Sequence, residues 1–127
     1  MALTESTQIY RDCYQMLKRL VKLIEKYPNK RKHLMGDRQM DSLLRSISNY
    51  YRANESYGQE KLKYLKKMRR EFNIFSLLLR LSCEMNDISY KRFAELTKDY
   101  TDIGRQMTGL IEYFSNNSES QNAQPEG

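Results

Sequence analysis

Between Lys61 and Met85 the chain reads KLKYLKKMRREFNIFSLLLRLSCEM, with no proline or glycine and with apolar residues at helical spacing. At 100° per residue, Leu62, Leu65, Met68, Phe72 and Phe75 share one side, and Lys63, Lys66, Lys67 and Arg70 share the other. From Ile74 onward the basic side turns apolar through Ile74, Leu77 and Leu81, interrupted only by Arg80. A helix that is apolar nearly all round must be buried on more than one side. In a chain of 127 residues the second burial is expected against another subunit, which makes Ile74, Leu77 and Leu81 the expected oligomer interface.

Three further segments carry the same periodicity. The first helix is expected over about 5–27, with Ile9, Cys13, Met16, Leu17, Leu20, Val21, Ile24 and Tyr27 on one face, ended by Pro28. The second is expected over about 31–55, burying Met40, Leu43, Leu44, Ile47, Tyr50 and Tyr51. Its start has two solutions: an N-terminus at Asp37 after Gly36, or a helix that begins near Lys30 and tolerates Gly36 inside it. The third is expected over about 60–86, entered through Gly58, and the fourth over about 89–115, started by Asp87 or Ser89. In the fourth, Phe93, Leu96, Tyr100, Ile103, Met107, Leu110, Ile111 and Phe114 form a heptad seam, with Gly104 at its edge. Residues 116–127 have too little apolar content to fold and are expected to be a disordered polar tail. No segment has the two-residue period of a strand. The fold class is therefore all-α, an up-down-up-down four-helix bundle.

The charge points to an anionic partner. The net charge of +6 becomes +8 once the tail's two acids, Glu119 and Glu126, are left out. Lys61, Lys63, Lys66, Lys67, Arg69 and Arg70 fall within ten residues that hold no acid. On the second helix Arg31, Arg38, Arg45 and Arg52 recur every seven residues, a line of roughly 32 Å along one helix side. Arginine forks pair two-pronged with phosphate, so nucleic acid is the first candidate partner. The same arginines suit acids on a neighbouring helix or subunit equally well. Expected phosphate carriers are Arg31, Arg38, Arg45 and Arg52, then Lys63, Lys66, Lys67 and Arg70, with Arg11, Lys18, Lys22 and Lys26 of the first helix in second rank. A membrane-surface role would want an exposed apolar face beside the bases, and no membrane partner is expected.

Most active-site chemistries lack their parts. The only histidine is His33, so neither a zinc set nor the Glu-x-x-His pairs of di-iron bundles can be assembled. There is no phosphate loop, no dinucleotide fingerprint and no CxxC. No catalytic residue, metal or cofactor is expected, and the protein is read as non-enzymatic. The opening MALTESTQIYRD lacks the layout of a signal peptide, so a cytoplasmic location is expected, with Cys13 and Cys83 reduced.

Three stretches resemble one known family. HLMGDR (His33–Arg38) resembles its LGDR segment, and LLLRLSCEMNDISYKRF (Leu77–Phe93) its LxRLxxELKxISxxxY junction. DIGRQMTGLIEYF (Asp102–Phe114) is similar to its closing EIGRxLGGWIK. The family is that of the accessory variability determinants of diversity-generating retroelements, with relatives encoded inside intervening sequences of bacterial ribosomal RNA genes. The resemblance implies a barrel-like homopentamer of four-helix bundles with a basic surface. It implies association with a reverse transcriptase, and binding of RNA or DNA during mutagenic copying of a template repeat. Thr108, Gly109 and Leu110 stand where the pattern has Gly-Gly-Trp, and Glu112 where it has a base. Other readings are a protein-binding scaffold that grips an acidic surface, and a bundle of the ribosomal intervening-sequence type.

Overall fold

The computed structural model describes residues 3–123, with side-chain surroundings up to residue 117. The described chain is helical, with no strand among the described residues. A 3-10 turn, Thr4–Ser6, precedes helix α1, Gln8–Glu25. Helix α2 covers residues 29–54, α3 is Gly58–Glu84 and α4 is Tyr90–Ala123. Short turns join them into the four-helix bundle that the periodicity predicts.

The first helix starts later than about residue 5, because Thr7 caps it. Its hydroxyl accepts from the Tyr10 amide, and the preceding turn is fastened to the end of α2. There Tyr50 donates to Thr7 Oγ1 at 2.9 Å, Tyr51 to Glu5 at 2.7 Å and Asn54 to Thr4 Oγ1 at 3.1 Å. The Tyr51 bond holds the Glu5 carboxyl below its usual range.

Helix α2 settles the two-way choice at Gly36. It starts directly after Pro28, as Asn29–Arg31, passes through a π-helical turn at Lys32–Gly36, and runs on as Asp37–Asn54. Asp37 is therefore inside the helix and does not cap it. Gly36 is needed because a Cβ there would lie 2.7 Å from Ile24 Cγ2 of α1. A turn closed by i→i+5 bonds holds an extra residue, so the helical phase slips across it. Arg31 is thereby taken out of line with Arg38, Arg45 and Arg52.

The core is built from Met16, Leu20, Leu43, Leu65, Met68, Phe72, Phe75, Leu79, Ile103 and Met107, all essentially without exposure. Through it runs a polar thread. Gln39, fully buried, donates to the Leu78 carbonyl at 3.0 Å and to Ser82 Oγ at 2.7 Å, and accepts from the Tyr27 hydroxyl at 2.7 Å. Ser46 donates to the Met68 carbonyl at 2.9 Å. These bonds set the register of α2 against α3 and tie the end of α1 to both. Two expected core residues lie outside it: Val21 and Leu44 are each 46% exposed.

At the α3–α4 turn, Asn86 takes a left-handed φ of 67°, and the Asp87 amide reaches back to the Ser82 carbonyl at 2.8 Å. Ser89, not Asp87, caps α4 by accepting from the Arg92 amide at 3.2 Å. Helix α4 then continues to Ala123, past the expected end at 115. The apolar seam stops at Phe114, but no proline or glycine follows until Pro125. Of the expected polar tail, residues 124–127 lie outside the described residues.

Asp87 is instead spent on Arg31, whose Nε lies 3.3 Å from its Oδ1 with the carboxylate only 2% exposed. We expect Arg31→Met to lower stability by about 2 kcal/mol, because it strands a buried carboxylate. Adding Asp87→Asn should recover part of that loss in urea melts; strict additivity would mean that the pair is uncoupled. Burial pushes the Cys13 thiol and the Tyr27 phenol up to about 12 each, from ordinary values of 9.0 and 10.0. Folding therefore holds these protons, so their contribution is intact below pH 9 and is lost as pH rises towards 12. Denaturation midpoints should fall above pH 9, less steeply in Cys13→Ala.

Candidate nucleic-acid interface

Helices α2 and α3 pack as an antiparallel hairpin, and their register brings two basic rows to the same edge. Arg52 near the end of α2 meets Tyr64 near the start of α3, donating from Nη1 to the phenol oxygen at 3.3 Å. Its guanidinium carbon lies 5.7 Å from the Tyr64 ring centroid. From α3 itself, Lys63 and Lys67 place their ammonium groups 5.7 and 5.4 Å from the same centroid. Three cations thus share one half-buried ring. Each gains from the negative face of the ring, but the three repel one another.

Few of these charges are answered within the chain. Among the described residues no carboxylate lies within ion-pair distance of Arg38, Arg52, Lys63, Lys66, Lys67 or Arg70. Arg38, Lys66 and Arg70 are exposed. Arg45 and Arg52 lie seven and fourteen residues beyond Arg38, so this part of the row keeps to the side of α2 that Arg52 turns towards α3. Arg45 is partly answered, by Asp41 on its own helix at 3.1 Å, an exposed pair of small energetic weight. Arg31 does not belong to the row. It is committed to Asp87 and held at the α3–α4 turn, so the expected line of four arginines is a line of three, roughly 21 Å long.

The first-helix row does not join this edge. Arg11 is turned back on the Ser6 carbonyl and Gln8, and Lys18 lies over Tyr14. Lys22 and Lys26 line a cavity of about 610 Å³ between α1 and α4, with Arg19 and Arg92 but also Glu25, Asp87 and Glu95. Arg19 pairs with Asp99 across those two helices. That side is mixed in sign.

Tyr64 is the residue that periodicity did not single out. Its spacing marked neither a core nor a surface position, and its place at the centre of the cluster depends on which α2 residue lies level with it. The apolar end of α3 is exposed in the single chain: Ile74 39%, Leu77 63% and Leu81 41%. No helix among the described residues is long and apolar enough to cross a membrane.

No curated protein and no solved structure matches the chain. A family model described as bAvd-like matches residues 7–114, which takes in all three resembling stretches and nearly the whole bundle. With the four-helix architecture and that match in hand, the chain belongs to the bAvd-like family, that of the accessory variability determinants.

Proposed function

We propose that this protein is a non-enzymatic accessory factor of a diversity-generating retroelement, acting in the cytoplasm. It holds nucleic acid by phosphate contacts along the α2–α3 edge while it associates with the reverse transcriptase. The observation that carries this reading is the cluster at Tyr64, where Arg52, Lys63 and Lys67 converge with no carboxylate among the described residues within ion-pair distance. Arg38, Arg45, Lys66 and Arg70 extend the positive edge on both helices. Such a surface reads backbone charge and not base sequence. Arg11, Lys18, Lys22 and Lys26 are left with a lesser part, since acids intervene on their side.

Assembly supplies the rest. Ile74, Leu77 and Leu81 form one exposed apolar strip on α3, and Tyr14, Val21 and Leu44 are further exposed apolar side chains on α1 and α2. Unlike apolar surfaces on one subunit suit a head-to-tail ring, in which the α3 strip meets α1 and α2 of the next copy. Five copies, the number that the family resemblance implies, is the ring size of this proposal. A ring repeats the basic edge around its circumference, so weak phosphate contacts act together.

A second reading keeps the same residues. Arg45 already takes the Asp41 carboxylate, so the row also suits an acidic surface on the polymerase.

Three measurements test these readings. Affinity for single-stranded RNA and DNA should fall steeply with salt, and Arg52→Gln/Lys67→Gln should reduce the log–log slope by roughly 1.5; an affinity flat in salt overturns phosphate binding. Arg45→Glu/Arg52→Glu separates the readings: loss of reverse transcriptase with retention of RNA favours the scaffold. Leu77→Lys should reduce the solution mass from that of a ring to that of one chain, and a wild-type monomer removes the assembly.

A further inference from the structure

On the other flank of α3, away from Tyr64, an open groove of about 470 Å³ separates α3 from α4. Arg69 and Asn73 line it from α3, and Gly104, Arg105, Thr108 and Glu112 from α4. The Arg69 guanidinium lies against the α4 backbone at Gly104: a Cβ there would sit 2.7 Å from Nη1 and 3.2 Å from Nη2. Gly104 is buried, so this contact forms part of the floor of the groove.

Two local sacrifices meet at this point. Glycine in mid-helix weakens α4. Arg69 is partly buried, and burial lowers its proton affinity, yet no carboxylate lies within ion-pair distance among the described residues. Elsewhere the chain answers its partly buried guanidinium, as Asp87 does for Arg31. Places where local rules are broken together without a compensating contact are where binding sites are found.

We propose that this groove is a phosphate-binding site, in which the Arg69 guanidinium, seated tip-first on Gly104, offers the phosphate its charge and the N–H donors that this seat leaves free. Arg105 supplies a second positive charge, and the Asn73 amide and Thr108 hydroxyl supply neutral donors. A phosphate oxygen accepts from all of these. Glu112, eight residues beyond Gly104 on α4, bounds the groove and disfavours anions at its own end. Arg69 and Arg70 are neighbours on α3, 100° apart, so one faces the groove while the other faces the exposed basic row. A strand lying on the α2–α3 edge therefore passes over α3 at Arg70 and places its next phosphates at Arg69. This identification of the phosphate as a nucleic-acid phosphodiester rests on the function proposed above.

The test follows the Arg69 side-chain Nε–Hε resonance of the full chain while two probes are added separately, inorganic phosphate and an eight-residue oligothymidylate. Both should shift it. Arg69→Gln should weaken oligonucleotide binding about tenfold, the value of one charge-assisted pair. Arg69→Lys keeps the charge but loses the fork, and should weaken it several-fold with an unchanged amide spectrum. Gly104→Ala displaces the guanidinium and should act like Arg69→Gln. If Arg70→Gln weakens oligonucleotide binding while neither probe moves Arg69, the groove is not a phosphate site, although the nucleic-acid function stands. If phosphate shifts Arg69 but the oligonucleotide binds nowhere, the site holds a free phosphate or nucleotide and the nucleic-acid source is overturned. If Arg69→Gln changes only the solution mass, the groove is a subunit contact and the proposal fails.

Discussion

The register of α2 against α3 is set by a handful of buried polar bonds, and the position of every basic row on that face follows from it. Gln39 is the centre of that set. Its amide has no access to water, so each of its donors and acceptors must be met inside the bundle. They are met by Leu78, Ser82 and Tyr27 in one arrangement. A slide of α2 along α3 by one turn would strand all of these groups, whereas apolar side chains alone would tolerate it far better. With Gln39 level with Leu78 and Ser46 level with Met68, Arg52 arrives beside Tyr64. The polar thread is thus a positioning device for a surface it never touches.

The cations divide into two populations. Arg31 and Arg19 are spent within the fold, the first on a nearly buried carboxylate and the second on a bridge between α1 and α4. Apart from Arg45, with its exposed Asp41 pair, the other cations of the α2 and α3 rows meet no carboxylate among the described residues, and their concentration there costs some repulsion that a domain folding for its own sake has no need to carry. The π-helical turn at Lys32–Gly36 separates the two groups on α2. It swings Arg31 out of the row and lets Gly36 accept Ile24 at close range. One irregularity therefore serves both the packing of α1 and the sorting of charge.

The apolar surface divides in a similar way. The side of α3 that carries Lys63 and Arg70 continues as Ile74, Leu77 and Leu81. A lysine–arginine half followed by a leucine half on one helix face joins a charged rim to an apolar strip. If the strip is covered by another copy, the rim is brought next to that copy's surface, and charge density rises without any new residue. The exposure of Val21 and Leu44 belongs to the same pattern. Both have the spacing of core residues, but the bundle closes without them.

The number of helices, the turns at Pro28, Gly58 and Asn86–Asp87 and the family stretches were all legible from residue order, because helical period and turn chemistry are local properties. So was the change from basic to apolar along α3, since neighbours on one helix face need no knowledge of any other helix. What lay beyond reach depended on distances between helices. Residue spacing marked Arg31 as a member of a row, but only the fold brings it to Asp87, far away in the chain. Spacing placed Val21 and Leu44 on apolar faces, but it does not reveal how much of each face the neighbouring helices cover. It placed Gly104 at a seam, but not the Arg69 guanidinium upon it. Periodicity assigns each side chain a direction from its own axis; what stands in that direction is decided by packing, because contact energies act between segments that the order of residues leaves unrelated.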